Sequence, residues 1–447
     1  MNRMNRTVTI LAVILTLATT GMAWGWNSEK QRLEVLQTIR RHIFAVHFDP
    51  SGPPHWDRVW EEELLPLTGE EDVCTFYRRL NEALTRTGVS HLAAAPPHAR
   101  PVPDYREQLD VIHLDGQAWI GRSPMVAALG LEPGTEILRI NGEPYFSYYD
   151  SYLCGDERKP RHLSLRTPSG TITELTIPRR WPVIKEGGAV VTTSRPAPGI
   201  GCLQLDSFQG GGYQPLNVER ALKSLADAEA LILDLRRNNG GHLPAVRHLL
   251  SHFFDDPVEL GRIVSRRSPS ELQEAELYRR QHSVQKVMTT YRTGQRRDVM
   301  TIKPRRKPFT GPMVVLVGRH TASAAEVAAR RLQTSKRAVL VGENTAGEVL
   351  SSTRLKLPDG GRLMLPLFDY LDSTETPIEG SGVVPDIPVA FAAADLASGR
   401  DRAMEAAVAH LRRTLEGDAK PLARHGPSPD PASPSIPKSR RTDPATP

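Results

Sequence analysis

Residues 321–326, Thr-Ala-Ser-Ala-Ala-Glu, lie between an apolar run at 313–317 and a helix-forming run at 324–332. This order of segments predicts a strand, a tight turn and a helix. A serine at such a junction presents its hydroxyl beside the first N–H groups of the helix, which have no partner within the helix and carry the positive end of its dipole. Ser323 is therefore a candidate nucleophile, and a simple helix N-cap is the alternative interpretation.

The alternation of strand and helix patterns extends over residues 183–400. Apolar runs and helical spacing predict the following elements: strands at 200–208, 230–235, 313–317 and 338–341, and helices at 217–226, 243–254 and 324–332. Such alternation indicates an α/β core with a mainly parallel sheet. Ligands of these sheets bind at the carboxyl ends of the strands, where Ser323 is expected to lie.

The turn at residues 238–241, Asn-Asn-Gly-Gly, follows the strand predicted at 230–235. Acyl transfer requires N–H donors at the place where negative charge develops on the attacked carbonyl oxygen. The functional interpretation is that Gly240 and Ala324 donate their backbone N–H groups to this oxyanion hole. An ordinary turn at the end of a strand is the alternative.

The first 25 residues have the pattern of a signal peptide. Arg3 and Arg6 precede an apolar run at 8–17, and small residues at 21–23 suit cleavage. Residues 1–25 are therefore predicted to be removed, which would place the protein in the periplasm or outside the cell. An uncleaved membrane anchor is the alternative.

Three further segments complete the predicted domain organisation. Helical spacing at 31–44 and 71–85 predicts a helical domain that, with a proline-rich linker, covers residues 26–100. The polar and basic segment 271–297 is predicted to be a lid or an insertion. The proline-rich tail, residues 412–447, carries few large apolar residues and is predicted to be disordered.

Residues 129–144 resemble part of a PDZ domain, which is predicted to cover residues 101–182. A Pro-Gly turn at Gly134 precedes a buried strand at 137–140 and an Asn-Gly hairpin at Gly142. A PDZ domain binds an extended peptide as an added strand, often at the free carboxyl terminus of that peptide. A β domain that packs against the core and binds nothing is the alternative.

Composition and charge narrow the classes of function. The 447 residues are 39% hydrophobic and 24% charged, which is typical of a globular chain with more than one core. The net charge of +6 would suit nucleic-acid binding, but an exported protein is not expected to meet nucleic acid. Cys74, Cys154 and Cys202 show neither a disulfide framework nor metal-ligand spacing, so no metal site is predicted.

Three segments, 231–241, 321–326 and 339–347, together resemble the core motifs of the tail-specific, or C-terminal-processing, serine peptidases. With the PDZ-like segment, the resemblance extends over most of residues 85–392. It implies a crotonase-like α/β core over residues 183–400 and a PDZ-like domain that captures a peptide or protein substrate. It also implies a reaction that needs no cofactor.

One position departs from the pattern of many family members. They carry a lysine general base 25 residues after the serine, and that position is Glu348 here. The branch typified by the tricorn core resembles this chain better, because it uses a histidine base from a Ser-His pair and a late glutamate. Ser90-His91 and Glu379 match these features. The resemblance implies that His91 deprotonates Ser323, that Ser90 orients His91, and that Glu379 holds the relay.

Two other histidines are rival bases. His320 lies three residues before the serine, and His242 follows the glycine turn. Any of the three suits the chemistry, because the pKa of histidine lies near the working pH. Sequence neighbours on a tight turn usually point apart, which favours His91. A Ser-His pair that merely caps a helix is the alternative.

The predicted function is therefore an exported serine peptidase that hydrolyses unstructured or C-terminal segments of proteins. A catalytically inactive protein that binds peptides through its PDZ-like domain is the first alternative, and the absent lysine favours it. A basic envelope protein that binds anionic polymers through its arginines is the second. No membrane contact is predicted beyond an uncleaved signal segment, and the sequence indicates neither an oligomeric state nor a cleavage preference.

Overall fold

The computed structural model describes most of the chain between residues 28 and 417. The described residues are 28–49, 52–97, 109–114, 117–140, 142–144, 161–177, 190–210, 212–265, 296–305 and 307–417. The predicted signal peptide and the tail beyond residue 417 lie outside this part. None of the helices in these ranges combines the length and the apolar character that a membrane span requires.

In chain order the strands are β1 (Ala93–Ala95), β2 (Val111–Leu114), β3 (Gln117–Ile120), β4 (Glu136–Ile140), β5 (Glu143–Pro144), β6 (Arg161–Arg166), β7 (Ile172–Ile177), β8 (Val191–Ala197), β9 (Ile200–Leu205), β10 (Ala230–Asp234), β11 (Val258–Ser265), β12 (Arg296–Ile302), β13 (Met313–Val317), β14 (Val339–Gly342), β15 (Ser351–Lys356), β16 (Arg362–Leu371) and β17 (Ile387–Pro388).

The α-helices are α1 (Glu29–Val46), α2 (Trp56–Val59), α3 (Val73–Thr85), α4 (Pro124–Ala128), α5 (Pro215–Ser224), α6 (Leu243–Leu250), α7 (Ala324–Thr334), α8 (Ala393–Ser398) and α9 (Arg402–Leu415). A turn of π-helix (Trp60–Leu64) and a 3₁₀ turn (Leu65–Gly69) connect α2 to the segment before α3. Local capping explains several starts, since Asp72 accepts a hydrogen bond from the Thr75 N–H and Asp401 accepts one from the Met404 N–H.

The sheet that carries the candidate nucleophile has the strand order β17-β14-β13-β10-β9-β8. Neighbours from β17 to β9 pair in parallel, and β8 pairs antiparallel with β9 at the edge. Strands β10 and β13 are buried at every position, which their continuous apolar sequences explain. The turn after β10 and the turn after β13 therefore meet at the same, carboxyl edge of the sheet.

Helices cover both faces of this sheet. Residues of α6 and α7 pack with alternate positions of β9, β10 and β13 on one face, and residues of α9 pack on the other. Ala407 and Leu411 of α9 are buried there. The prediction of a disordered tail from residue 412 is wrong at its start, because α9 extends to Leu415 and its apolar stripe belongs to the core.

The N-terminal helices do not form a core of their own. The cluster that contains Ile39, Phe76 and Leu80 also contains Leu363 and Leu365 of β16. Strand β1 pairs antiparallel with β16 in a second sheet, ordered β1-β16-β11-β12, to which β15 is added beside β16. The predicted boundary at residue 100 therefore separates segments that share a hydrophobic core. Of the predicted insertion at 271–297, residues 271–295 lie outside the described part, and the last two residues begin β12.

A third sheet, ordered β2-β3-β4-β6-β7 with β5 beside β4, forms a small β unit with its own apolar cluster. It contains the Pro-Gly turn and the buried strand of the PDZ-like segment, while Asn141 lies outside the described residues. Polar contacts of Arg122 and Asp110 connect this unit to the core. Arg122 donates to the Leu396 carbonyl at 2.7 Å, and Asp110 lies 3.4 Å from Arg237, just before the glycine turn.

Candidate active site

Ser323 has an unusual backbone conformation at the junction of β13 and α7. Its φ is 53° and its ψ is −122°, which a residue with a Cβ atom rarely adopts. Such strain costs about 1–3 kcal/mol and persists only where the surrounding structure holds it. Strained strand-to-helix turns of this kind expose the hydroxyl of a catalytic serine in other hydrolase folds.

The carboxylate of Glu326 holds this turn in place. It is fully buried and accepts hydrogen bonds from the Ser323 N–H at 2.9 Å and from the Thr345 hydroxyl at 2.5 Å. It also accepts from the N–H groups of Gly347 at 2.7 Å and Glu348 at 2.9 Å. Burial raises the pKa of Glu326, and these donors oppose that rise. One carboxylate thus connects the serine turn to the segment at 345–348.

Gly240 packs directly against the serine turn. A Cβ atom at Gly240 would lie 2.6 Å from the Ser323 Cβ, 2.8 Å from the Ala322 carbonyl oxygen and 3.0 Å from the Ala324 nitrogen. Its φ of +95° also disfavours any other residue. The absence of a side chain therefore lets the Gly240 backbone approach the serine and the first N–H of α7.

The predicted oxyanion donor is engaged within the protein. The Gly240 N–H donates to the side-chain oxygen of Asn238 at 2.9 Å, so this arrangement differs from an open oxyanion hole. Asn238 is fully buried, and its side-chain nitrogen donates to the Leu205 carbonyl at 2.9 Å. The physical reason is that a buried amide must satisfy both its donor and its acceptor. The glycine turn is held in shape by this asparagine.

Ser90, His91 and Glu379 meet although up to 289 residues separate them in sequence. The Ser90 N–H donates to Glu379 at 2.9 Å, and the Ser90 hydroxyl lies 2.9 Å from Nδ1 of His91. The Ser90 side chain also hydrogen-bonds to Glu379, whose pKa is raised by burial. The structure therefore brings together the three residues that the sequence assigned to the relay.

The segment at 347–349 joins the relay to the serine turn. Its N–H groups at Gly347 and Glu348 donate to Glu326, while the next N–H, of Val349, donates to Glu379 at 2.9 Å. The buried carboxylate of Glu326 and the half-buried carboxylate of Glu379 are thus held by consecutive residues of one segment. Glu348, at the position of the lysine of many relatives, contributes its backbone to this chain of contacts.

Two of the three candidate bases have a lowered pKa. Burial lowers the pKa of His91, so its imidazole is neutral near pH 7. Burial also lowers the pKa of His320, where the nearby Asp110 carboxylate opposes the shift. His242 is exposed and lies at the start of α6. Of these three, His91 is the one joined through a serine to a half-buried carboxylate.

A cleft of about 370 Å³ opens beside the serine turn. It is bounded by the segment that follows β14, and the N–H of Ala346 in this segment donates to the Thr321 carbonyl at 3.0 Å. Its lining residues include both charged and neutral side chains: Arg319, Glu343, Asn344, Thr345, Ala346 and Glu348.

Sequence reasoning gave no role to Glu326 or Asn238, although both shape the site. The spacing Ser323 to Glu326 is that of a capping box, in which a glutamate accepts a hydrogen bond from the N-cap backbone. That signal was present in the sequence and could have assigned Glu326. For Asn238 the signal was weak, because a turn asparagine is usually exposed.

Known proteins share sequence features with the part of the chain that forms this site. The sequence pattern of peptidase family S41 matches residues 199–389, a span that includes Gly240, Ser323 and Glu379 but not His91. Over these residues the chain is similar to the peptidases of family S41. It is 29% identical over 280 residues to the carboxyl-terminal-processing protease of Synechocystis sp., which is 61% of this chain and 58% of that protein.

Other S41 relatives align over shorter parts of their own length. The chain is 28% identical to the chloroplastic carboxyl-terminal-processing peptidase 1 of Arabidopsis thaliana, over 42% of this chain and 33% of that protein. It is 24% identical to the carboxy-terminal processing protease CtpB of Bacillus subtilis, over 60% of this chain and 51% of that protein. The alignments thus cover well under two thirds of these proteins.

Two solved structures share the fold of this chain. The photosystem II D1 C-terminal processing protease is 21% identical with a TM-score of 0.51, and the match covers 80% of this chain and 92% of that one. Mature CPAF complexed with lactacystin is 16% identical with a TM-score of 0.61, and the match covers 87% of this chain and 99% of that one. The similarity establishes a mixed α/β fold with several sheets.

Proposed function

We propose that this protein is a serine peptidase that uses Ser323 as nucleophile and His91 as general base. The observation that carries the proposal is the strained backbone of Ser323, held by Glu326 and approached closely by Gly240. A serine that served only as a helix cap would not require this strain. The hydroxyl of a nucleophilic serine must project from its turn, and the strained backbone of Ser323 suits this role.

In the proposed reaction, His91 takes the proton of the Ser323 hydroxyl as the oxygen attacks the scissile carbonyl carbon. The proton is then given to the leaving amine, and water hydrolyses the acyl-enzyme with His91 again as base. Ser90 orients the imidazole through Nδ1, and Glu379 holds Ser90. This assignment follows the tricorn-core-like branch of the superfamily, and Glu348 has no part in proton transfer.

The oxyanion hole is proposed to form from the backbone N–H groups of Gly240 and Ala324. The Gly240 N–H is satisfied by Asn238 before substrate enters, which avoids an unpaired buried donor. A substrate carbonyl oxygen beside Ser323 would then share or replace that acceptor. The oxyanion carries more negative charge than the side-chain oxygen of Asn238. The Gly240 N–H therefore binds the oxyanion in preference to Asn238 in the transition state.

We further propose that the substrate is an unstructured or C-terminal segment of a protein. The β unit with β2, β3, β4, β6 and β7 would bind such a segment as a PDZ domain does, by adding it as a strand. The relatives named as C-terminal-processing proteases favour this substrate class. Export through the predicted signal peptide belongs to the same proposal.

The test is hydrolysis of labelled casein and of a library of unstructured peptides by the purified chain. Ser323→Ala and His91→Ala are each expected to lower kcat by about 10⁴-fold or more, because nucleophile and base act as a unit. His410→Ala, in α9, is the matched surface control and should retain full activity. Circular dichroism would confirm that each variant is folded.

Two outcomes would redirect the proposal. Full activity in a folded His91→Ala variant would exclude His91 as the base, and His242→Ala and His320→Ala would then identify which rival replaces it. If the wild type and Ser323→Ala hydrolyse nothing but bind peptides equally, the inactive peptide-binding function would be correct. Glu348 in place of a lysine is the feature that favours this second function.

A further inference from the structure

Two histidines and a glutamate converge on the face of the core formed by α5 and α6. Glu219 lies on α5, His248 lies in the last turn of α6, and His252 follows four residues later. One potential ligand atom from each lies within 4.8 Å of the other two. None of these residues belongs to the serine relay or to the turns around it.

The geometry points to a binding site for a divalent transition-metal ion, with Zn²⁺ as the best fit, formed by Glu219, His248 and His252. Imidazole and carboxylate are the ligands that such ions share, and three protein ligands leave one tetrahedral position for water. Ca²⁺ and Mg²⁺ prefer sites made of oxygen ligands alone, which this cluster does not offer.

One pair in the cluster already has the spacing of a zinc site. Ligand atoms about 2.0–2.1 Å from a tetrahedral ion are about 3.3 Å from one another. Oε1 of Glu219 and Nε2 of His248 are 3.3 Å apart. Because the cluster extends to 4.8 Å at most, the remaining ligand has to move by only about 1.5 Å, which a rotation of one side chain supplies.

His252 supplies the observation that a simple hydrogen bond between Glu219 and His248 does not explain. Its Nε2 atom is buried and has no hydrogen-bond partner among the residues that the structure describes. A buried polar atom without a partner is costly, so it calls for a ligand.

His248 also has the outer contact that metal-binding histidines use. Its Nδ1 lies 2.7 Å from the hydroxyl of Tyr213, which is buried against Phe208. When Nδ1 carries the proton and donates to Tyr213, the Nε2 lone pair faces Glu219 and is available to a metal ion. Such outer hydrogen bonds orient the ligand and strengthen metal affinity.

Arg305 forms an ion pair with the carboxylate of Glu219. Its Nη1 lies 2.7 Å from Oε1 of Glu219, and its side chain is 43% exposed. A metal ion would displace this guanidinium from Oε1, and the exposed side chain can move into solvent. The two cations therefore compete for Glu219, which makes Arg305 a sensitive probe of the site.

The experiment is a calorimetric titration of the chelator-treated chain with ZnCl₂, in a Ser323→Ala background that prevents self-cleavage. One Zn²⁺ per chain is expected to bind at this site. His248→Ala and His252→Ala should each weaken binding by about 100-fold or more, and Tyr213→Phe by about 10-fold. Arg305→Gln should tighten binding, because it removes the competing cation. His410→Ala is the matched control and should bind as the parent does.

Three results would overturn the inference. They are the absence of saturable Zn²⁺ binding, equal affinity in His248→Ala, His252→Ala and the control, and weaker binding in Arg305→Gln. If either histidine variant fails to fold, Glu219→Gln and Tyr213→Phe preserve side-chain shape and decide the question by the same titration. The titration detects binding directly, so its outcome does not depend on whether the chain is a peptidase.

Discussion

The turn that holds Ser323 and the relay that holds His91 are built in different ways. The serine turn is capped by Glu326, only three residues away in sequence, and it packs against Gly240 at the end of the neighbouring strand. The relay joins residues that are 289 positions apart. The family match at 199–389 includes the serine turn and Glu379 but not His91.

This difference indicates which part of the site can vary between related proteins. A turn that depends on a capping box and a glycine forms wherever its strand and helix form. The relay depends on the packing of the N-terminal helices against β16. Ser90 and His91 lie just before β1, and β1 pairs with β16 beside those helices. In the proposed mechanism, the base is therefore the part that differs from the lysine-bearing members of the family, while the serine turn stays the same, in agreement with Glu348 at the lysine position.

Among substitutions that keep both Ser323 and His91, the largest effect is expected at the glycine that packs against the serine turn. Gly240→Ala should lower kcat by about 10²–10³-fold, because the new methyl group would lie 2.6 Å from the Ser323 Cβ and displace the proposed oxyanion donor. Steady-state kinetics on a labelled peptide measure this loss. KM should change less than kcat, since the oxyanion forms only in the transition state.

The matched control for this substitution is Gly170→Ala. Gly170 also has a positive φ, of +87°, but no atom lies within 4 Å of a Cβ added there. It therefore carries the same backbone cost without the clash. Equal kcat values in the two variants would show that the close approach of Gly240 to Ser323 is unimportant for the reaction.

The sequence was sufficient for the local turn and its strands but not for the shared cores. Strand β13 was predicted at its observed bounds, and the Gly240 and Ser323 turns were predicted at the ends of neighbouring strands. Continuous apolar runs and turn glycines carry that information. Phe76 and Leu363 belong to one hydrophobic cluster although they are distant in sequence, and no periodicity in either segment indicates this shared core.

For the relay of Ser90, His91 and Glu379, the residues could be proposed only by resemblance. Nothing in the local sequence of Ser90-His91 indicates that Glu379 accepts from the Ser90 N–H, because long-range contacts leave no periodic pattern. The engagement of the Gly240 N–H by Asn238 was not predicted either. It depends on the burial of Asn238 against Leu205, a contact between two separate strands.

A smaller effect is expected at the distant relay. Glu379→Gln should lower kcat by about 10–100-fold, because the neutral amide holds Ser90 less strongly and no longer favours the imidazolium that forms at His91. The same labelled peptide and steady-state kinetics apply. A loss as large as that of His91→Ala would mean that Glu379 itself transfers the proton.

Glu348→Gln is the control that isolates the relay. Glu348 is a neighbouring glutamate whose backbone N–H, rather than its carboxylate, makes the contact with Glu326. The kcat of the Glu348→Gln variant should stay within about 3-fold of the wild-type value, which corresponds to a change in activation free energy of less than about 1 kcal/mol. A large loss would instead assign the proton transfer to the position that holds lysine in other members.

The smallest effect is a shift in the pH dependence of kcat/KM. A general base acts only when it is neutral, so activity falls as the pH drops through the pKa of His91. Burial lowers that pKa from its usual 6.5, and the acidic midpoint of the profile should accordingly lie below 6.5. Asp369 also titrates on the acidic side of this profile, because burial raises its pKa to about 6 and the negative charge of Glu379 adds to the rise. Asp369→Asn removes that second titration, so a midpoint that stays in place in this variant belongs to the imidazole, whereas a midpoint that disappears belongs to the carboxyl group.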